Sequence, residues 1–307
     1  MNTEYYKEHL LDRATMLAMR AFLAVQPKTK FEPASRPDFD ALMEKTTAAD
    51  GVIYEAASLG GVAGWWCRPT NALAHCAVLY LHGGAYVLGN AAAYRNFCGQ
   101  IAARAGAAVF DVEYGLAPEH PFPQALNDAE AVFGSLSESG FTKLAIAGDS
   151  AGGGLAFSLL QSVTAKAKQD HGQGAMAGVV ISPWTDLALT GESLTTHADN
   201  DPLLTRDMLD EAARLYLGAH DRHDPRASPL YGDFTGFPPI LFHVGEDEVL
   251  LDDSRRVAER IEAAGGSVQL NVWQGITHVF ASNLMLQAAK EALDKVGDFL
   301  RQQFGNN

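Results

Sequence analysis

The chain has 307 residues, 47% of them hydrophobic, and its 37 acidic and 23 basic residues give a formal net charge of −14 at pH 7. This length and hydrophobic content are sufficient for one large α/β core with a smaller lid. The acidic balance, without any basic block, disfavours nucleic acids and anionic membranes as partners.

The cysteines and the start of the chain bear on the cellular compartment. The three cysteines form no CxxC pair and leave an odd number, which suits a reducing compartment better than a disulfide framework. The first residues include several charged side chains and no apolar segment typical of a signal peptide. No uncharged apolar run reaches the length needed to span a membrane. We therefore expect a cytoplasmic protein.

The N-terminal region is predicted to be helical over residues 1 to about 26, because apolar residues recur there at helical spacing. This stripe comprises Leu10, Leu11, Ala14, Leu17, Ala18, Ala21 and Phe22. Pro27, Pro33 and Pro37 then interrupt the chain, and a second short helix is predicted over 38–49. Because this region precedes the first predicted strand, its apolar stripe is expected to pack against later elements.

Eight strands follow, most of them alternating with helices. The strands are predicted at 52–57, 62–67, 77–81, 107–112, 144–147, 178–182, 240–244 and 268–273. The helices between and after them are predicted at 92–105, 124–139, 151–168, 205–217, 254–264 and 286–303. This alternation predicts an α/β fold whose sheet is largely parallel and covered by helices on both faces. We divide the chain into N-terminal helices, 1–48, and an α/β domain, 49–307, with an insertion at about 187–237 that could form a lid.

The segment Gly148-Asp149-Ser150-Ala151-Gly152 lies between a predicted buried strand and a predicted helix. A sharp strand-to-helix turn lifts the side chain at its corner above the sheet edge, and small neighbours allow other chain segments to pass close. The N-terminus of the helix also supplies backbone N–H groups that can stabilise a developing oxyanion. Ser150 is therefore the predicted nucleophile.

A serine hydroxyl needs a base, and the base needs a third group that fixes its tautomer. On this kind of sheet the usual order along the chain is serine, acid, histidine. Only one histidine follows residue 245, His278, and it lies in the loop after the last predicted strand. His278 is therefore the predicted base.

The acid should follow the strand before that one, where several carboxylates lie close together. We choose Asp247, because it falls in the first turn after the strand. Glu246 and Glu248 remain alternatives. Asp252 and Asp253 are expected to cap or begin the next helix.

A second loop is expected to donate to the oxyanion. His82-Gly83-Gly84 follows the third predicted strand, and glycines there expose their N–H groups to an incoming carbonyl. The methyl group of Ala85 disfavours a positive φ, so we expect ordinary backbone there and assign the donors to Gly83 and Gly84. Tyr86 and Asp149 are candidate residues of the substrate pocket.

Together these motifs resemble the hormone-sensitive-lipase-like branch of the α/β-hydrolases, the bacterial esterases often called family IV. The resemblance covers roughly residues 50–307 and depends on several separate motifs. These are His82-Gly83-Gly84-Ala85, Glu113-Tyr114-Gly115-Leu116-Ala117-Pro118-Glu119-His120-Pro121-Phe122-Pro123, Gly148-Asp149-Ser150-Ala151-Gly152-Gly153 and Ser182-Pro183-Trp184-Thr185-Asp186, completed by Asp247 and His278. It implies an α/β-hydrolase fold with Ser150 as nucleophile, Asp247 as acid and His278 as base. It also implies Gly83, Gly84 and Ala151 as oxyanion donors.

The same resemblance implies a cap made from the N-terminal helices and the later insertion, a homodimer as in many members, and no metal or organic cofactor. Two positions depart from the family pattern. Ala85 stands where a third glycine is usual, and Gly115 stands where arginine or lysine is usual.

The leading hypothesis is a serine carboxylesterase that forms an acyl-enzyme intermediate. Acyl chains of about C2 to C6 are expected to be preferred over long-chain triglycerides, since no interfacial apolar helix is evident. Lactones, acetylated sugars and xenobiotic esters are alternative substrates. An amidase, a peptidase or a non-catalytic ligand receptor on the same fold is a weaker alternative, and the presence of His278 argues against the receptor. The His220–Asp224 segment is interpreted as a solvated loop rather than a metal site.

Overall fold

The computed structural model describes residues 2–26, 30–170 and 172–305. Within them, one sheet contains nine strands: β1 (Asn2–Tyr6), β2 (Val52–Leu59), β3 (Val62–Pro69), β4 (Cys76–Leu81), β5 (Ala108–Val112), β6 (Lys143–Asp149), β7 (Ala177–Ile181), β8 (Ile240–Gly245) and β9 (Val268–Trp273). The α-helices are α1 (Leu10–Ala24), α2 (Arg36–Met43), α3 (Ala91–Ala105), α4 (Gln124–Glu138), α5 (Ser150–Asp170), α6 (Ser193–Thr196), α7 (Arg206–Leu217), α8 (Leu251–Ala263) and α9 (Gln287–Gln303). Met1 and Pro27, to which the sequence predictions extended, lie outside the described residues.

The strands lie in the order β1-β9-β8-β7-β6-β4-β5-β3-β2. The predicted hairpin of β2 and β3 is antiparallel, and β3 also runs antiparallel to β5, whereas the other neighbouring pairs are parallel. Every residue of β4, β5, β7 and β8 is buried, because helices cover both faces of the sheet. The predicted architecture, a largely parallel sheet between helices, is confirmed.

The first strand was not predicted. Residues 2–6 form β1, which pairs in parallel with β9 and extends the sheet from eight strands to nine. The ring of Tyr6 stacks on Trp273 of β9, with the two centroids 4.3 Å apart. The prediction of a helix from the first residue is therefore wrong, and the helical segment begins only at Leu10.

Helix α1 packs on the face opposite to the one expected. Its buried residues are Asp12 and Met16. The Asp12 carboxylate accepts hydrogen bonds from the backbone N–H groups of Gln287 and Ala288, at 2.7 and 2.8 Å, where α9 begins. A carboxylate at a helix N-terminus is a favourable arrangement, and it turns the apolar stripe away from the core. The strongly exposed apolar residues on α1 and just after it are 61% to 84% accessible: Leu10, Leu11, Leu17, Phe22 and Val25.

Two regions from outside the sheet lie over the predicted nucleophile. Phe39 and Met43 of α2 border the same cavity as Ser150, and so do Leu203, in the loop before α7, and Met208 of α7. These residues come from the two segments predicted to form a cap. Within the part of the chain that the structure describes, no helix is both long and apolar enough to cross a membrane.

Candidate active site

Ser150 lies at the corner between β6 and α5. Its φ of 52° is the strained left-handed conformation expected at a sharp strand-to-helix turn. A Cβ atom on Gly152 would come within 2.0 Å of the Leu81 carbonyl oxygen and 2.3 Å of the His82 carbonyl oxygen. Glycine at this position therefore permits the start of α5 to approach the end of β4, and it leaves the Ser150 side chain at the sheet edge.

His278 connects Ser150 to a carboxylate. The Ser150 hydroxyl donates to Nε2 of His278 at 2.9 Å, and the Nδ1–H of His278 donates to Oε2 of Glu248 at 2.6 Å. Because Nδ1 faces the carboxylate, Nε2 carries the lone pair and can accept the serine proton. The three side chains thus have the connections of a nucleophile, a base and an orienting acid.

Asp247 does not make the contact predicted for it. Its Oδ2 pairs with a guanidinium nitrogen of Arg20 in α1 at 2.6 Å, and each of the two side chains is 26% exposed. The backbone N–H of Asp247 donates to the Ile276 carbonyl at 3.1 Å, so the chain is still pairing with the loop after β9 at this residue. Only the following residue, Glu248, directs its carboxylate at His278. The prediction that Asp247 is the acid that orients His278 is therefore wrong, and Glu248 takes this place.

A set of donors holds the Glu248 carboxylate in place. Its Oε1 accepts from the backbone N–H of Gly245 and from the hydroxyl of Ser182, both at 2.9 Å. The Ser182 hydroxyl oxygen also accepts from the N–H of Val279, at 3.1 Å. Ser182, to which the sequence motifs assigned no role, thus links the carboxylate to the residue directly after His278.

Burial and pairing act in opposite directions on His278. Desolvation alone would lower the pKa of this buried imidazole, but the hydrogen bond and charge of Glu248 outweigh it, and the pKa of His278 is raised. Burial raises the pKa of Glu248, while the hydrogen bond and charge of His278 oppose that rise. An imidazole with a raised pKa is a stronger acceptor for the serine proton.

Asp149 is buried beneath the loop that follows β4. Its carboxylate accepts from the Tyr80 hydroxyl at 2.7 Å, from the N–H of Gly83 at 3.0 Å and from the Tyr94 hydroxyl at 3.2 Å. Burial raises the pKa of Asp149 to about 6, against the lowering effect of these hydrogen bonds. Since the Gly83 N–H already donates to a buried carboxylate, the prediction that it serves the oxyanion is wrong.

The next residues adopt backbone conformations that were not expected. The φ angle is 117° at Gly84, 56° at Ala85 and 63° at Tyr86, so the expectation of ordinary backbone at Ala85 is wrong. Among the described residues, no protein acceptor is hydrogen-bonded to the N–H of Gly84 or Ala85. Both residues border the same cavity as Ser150.

Tyr86 points into the core instead of the substrate pocket. Its ring is buried and stacks on Tyr216 of α7, with the centroids 3.8 Å apart and the planes 4° from parallel. Trp184 packs nearby, at a centroid distance of 6.1 Å. The predicted pocket role of Tyr86 is therefore wrong, whereas Asp149 does border the cavity.

The serine cavity, as we name the space around Ser150, has a volume of about 200 Å³. His278 and the carboxylate residue Asp149 border it beside the nucleophile. Most of its remaining wall is apolar and includes Phe31, Phe39, Leu203, Leu204 and Met208. The site can therefore exclude water from an acyl group bound next to Ser150.

A second space, which we name the outer cavity, has a volume of about 420 Å³. It does not border Ser150, but it shares six residues with the serine cavity: Leu42, Met43, Leu203, His278, Val279 and Ser282. Its wall is more polar and includes Lys45, Thr46, Thr47 and Asn283. Two exposed apolar side chains lie at its rim, Leu42 at 57% and Met285 at 80% accessible.

Comparisons with known proteins agree with this geometry. Residues 78–282 match a protein-family model described as an α/β-hydrolase fold. An acetyl-hydrolase of Streptomyces hygroscopicus is 38% identical over 255 residues, which cover 82% of this chain and 83% of that protein. An ethyl acetate hydrolase of Pseudomonas putida is 35% identical over 240 residues, covering 75% and 74% of the two chains. The crystal structure of an esterase from the bacterial hormone-sensitive lipase family superposes with a TM-score of 0.89 at 35% identity, covering 97% of this chain and 100% of that one.

Proposed function

This chain belongs to the hormone-sensitive-lipase-like esterases of the α/β-hydrolase family, and we propose that Ser150, His278 and Glu248 form its catalytic triad. The protein is a serine hydrolase of short-chain carboxylic esters. The observation that supports the triad is the unbroken run of hydrogen bonds from the Ser150 hydroxyl through the imidazole to the Glu248 carboxylate.

In the proposed reaction, Oγ of Ser150 attacks the ester carbonyl carbon while Nε2 of His278 takes the hydroxyl proton. The carbonyl oxygen becomes an oxyanion, which accepts hydrogen bonds from the N–H groups of Gly84, Ala85 and Ala151. Ala151 lies in the first turn of α5, where backbone N–H groups have no partner within the helix. The intermediate then collapses, His278 returns the proton to the alcohol oxygen, and water releases the acyl group by the same sequence.

The two cavities assign the two halves of the ester. We place the acyl group in the serine cavity, because the nucleophile and two of the three proposed oxyanion donors, Gly84 and Ala85, border it. The leaving alcohol must receive its proton from His278, which borders both cavities, so we place the alcohol in the outer cavity. An apolar cavity of about 150 Å³ holds benzene, so the serine cavity has room for about six to eight heavy atoms of an acyl group.

The short acyl preference has a different cause from the one inferred from the sequence. That inference assumed that no interfacial apolar helix exists, and α1 has an exposed apolar face. The size of the serine cavity supports short acyl chains instead. The outer cavity is lined mainly by apolar side chains, but it also contains Lys45, Thr46, Thr47 and Asn283. These polar groups keep acetates of larger alcohols with hydrogen-bonding groups, such as acetylated sugars, among the candidate substrates.

A series of p-nitrophenyl esters of increasing acyl length tests this assignment. Met208→Ala enlarges the serine cavity alone and should move the best acyl chain to greater length. Met285→Ala, at the rim of the outer cavity, is the matched control and should leave the acyl profile unchanged while altering the relative rates of acetates with different alcohols. A longer acyl optimum in Met285→Ala, with no change in Met208→Ala, would show that the two halves are assigned the wrong way round.

Three further statements stay predictions from the sequence. They are the cytoplasmic location, the homodimeric state and the division into cap segments, 1–48 and 187–237, and a catalytic domain. Light scattering on the purified protein tests the dimer. Limited proteolysis, in which cleavage would concentrate in the two cap segments, tests the division.

A further inference from the structure

The outer face of α1 is an unusual surface for an acidic protein. Its exposed positions form one continuous apolar stripe along the helix: Leu10, Leu11, Ala14, Leu17, Ala18, Ala21 and Phe22. The large residues in this stripe are at least 61% accessible. Single exposed apolar side chains are ordinary, but a contiguous apolar face marks a site of interaction.

This face continues to the mouth of the active site. Met19, on the flank of α1, borders the outer cavity, and Phe22 lies one helical turn further along the same flank. On the cavity rim, Leu42 and Met285 are also exposed. The apolar surface therefore extends from the outer face of α1 to the opening that leads to His278.

The size of the face argues against a second copy of the chain as its partner. Helix α1 has 15 residues. It is therefore about 22 Å long and about 10 Å wide, which gives a footprint of about 220 Å². A stable protein interface needs about 800 Å² from each partner. Even doubled for the relief of its side chains, α1 falls short.

The charges on α1 and on the whole chain favour an uncharged surface as the binding partner of this face. The two arginines of α1 already face carboxylates: Arg20 pairs with Asp247, and Arg13 lies 3.8 Å from Glu8. The net charge of −14 repels anionic surfaces at long range. An apolar helix face without free basic residues binds by burial of its apolar area alone.

We propose that the outer face of α1 docks the protein on the surface of an uncharged lipid or ester aggregate and turns the mouth of the outer cavity toward that surface. The docking step supplies the site with poorly soluble esters from the aggregate, while the serine cavity still limits the acyl group. Docking requires no turnover, so it is measured separately from the proposed triad.

Flotation with phosphatidylcholine vesicles tests the proposal. The wild-type chain should bind, and replacing a fifth of the lipid by phosphatidylserine at low ionic strength should reduce the bound fraction. The double variant Leu17→Gln/Phe22→Gln should bind at least tenfold more weakly. Glutamine keeps the helix propensity of leucine, so α1 should remain folded.

A matched control lies at the opposite edge of the sheet. Leu17 is 61% exposed and Ile53 of β2 is 60% exposed, so Leu17→Gln and Ile53→Gln remove equivalent apolar surface at different places. Only Leu17→Gln should weaken vesicle binding. All variants should retain the wild-type kcat/KM on soluble p-nitrophenyl acetate, which verifies that the fold and site are intact.

Three outcomes would overturn the proposal. The wild-type chain does not float with neutral vesicles, or it binds anionic vesicles more strongly than neutral ones, or Ile53→Gln weakens binding as much as Leu17→Gln. Light scattering adds a fourth: if the double variant converts a dimer to a monomer and neither protein binds vesicles, the face belongs to a second copy.

Discussion

In the structure, Glu248 and not the adjacent Asp247 is hydrogen-bonded to His278, and this difference can be tested by mutation. Glu248→Gln keeps the size of the side chain but removes the negative charge that orients His278 and stabilises its protonated form. The corresponding acid-to-amide change in a Ser-His-Asp triad lowers kcat by about 10⁴. We expect a loss of that order here, equivalent to about 5.4 kcal/mol of transition-state stabilisation.

Asp247→Asn is the matched control, because it makes the same chemical change one residue earlier. It removes an ion pair to Arg20 that is partly exposed, and such pairs contribute about 0 to 1 kcal/mol to stability. Arg20→Met should therefore behave like Asp247→Asn. We expect both variants to retain kcat within about tenfold of wild type. The assay is kcat on p-nitrophenyl butyrate, with thermal melting to verify folding.

The two amide variants thus differ in their predicted kcat by about a thousandfold or more. If Asp247→Asn lost as much activity as Glu248→Gln while remaining folded, the assignment of the acid from hydrogen-bond geometry would be refuted. Equal and small effects of both variants would mean that neither carboxylate orients His278.

Three further predictions concern the same site. Ser150→Ala and His278→Ala should each abolish most turnover, and the double variant should be little worse, because the triad acts as a unit; additive losses would contradict this. Activity should fall with acidification as His278 becomes protonated. Glu248→Gln should move that acid limb to lower pH, because the lowering effect of burial on the pKa of His278 is then opposed only by the charges of Asp201 and Asp149; an unmoved limb would argue against the pair. Asp149→Ala should lower kcat about 10²-fold by releasing the Gly83 N–H and displacing the oxyanion loop, and a change in KM alone would place its role in binding.

The parts of the fold that could be predicted are those set by local pattern. Buried apolar runs such as 144–147 and 240–244 are strands because both faces of a parallel sheet are covered. The corner at Ser150 and the loop position of His278 follow from residue type and chain order. Residues 2–6 could not be predicted as a strand, because that strand exists only through its pairing with β9 at the far end of the chain.

Within the site, the sequence did not determine which carboxylate orients His278. Glu246, Asp247 and Glu248 are consecutive, and no local preference distinguishes which carboxylate faces the imidazole. The choice depends on contacts that are distant in sequence. Asp247 stays paired with the loop after β9, and the Ser182 hydroxyl holds Glu248.

The prediction of which face of α1 is buried was wrong for a related reason. Its amphipathic pattern predicts that the apolar stripe packs inward. Instead, the opposite face of α1 is buried. On that face the Asp12 carboxylate accepts hydrogen bonds from the first backbone N–H groups of α9. Helical periodicity identifies two faces but does not identify which of them meets the rest of the protein when one polar contact is strong.

The unexpected positive φ of Ala85 can be tested by measuring the stability of a glycine variant. A φ of 56° is costly for alanine, by about 1 to 2 kcal/mol, and costs glycine almost nothing. Glycine also loses about 0.5 to 1 kcal/mol more backbone entropy on folding than alanine does. Ala85 is also buried, so Ala85→Gly loses about 0.8 kcal/mol of methyl burial. The three effects nearly offset one another, so the unfolding free energy should stay within about 1 kcal/mol of wild type.

Ala264→Gly is the control for this substitution, because Ala264 has an ordinary φ of −82°. Ala264 packs partly against the core, so the entropy loss and the lost methyl burial act in the same direction there, and we expect a loss of about 1 to 2 kcal/mol in urea unfolding. Ala85→Gly keeps the N–H that we assign to the oxyanion, so its kcat should change by less than about tenfold, or 1.4 kcal/mol. If Ala85→Gly destabilised the protein as much as Ala264→Gly does, the backbone at residue 85 would not be left-handed. The proposed shape of the oxyanion loop would then be wrong, because the left-handed backbone at Gly84, Ala85 and Tyr86 forms the turn that places Gly84 and Ala85 beside Ser150.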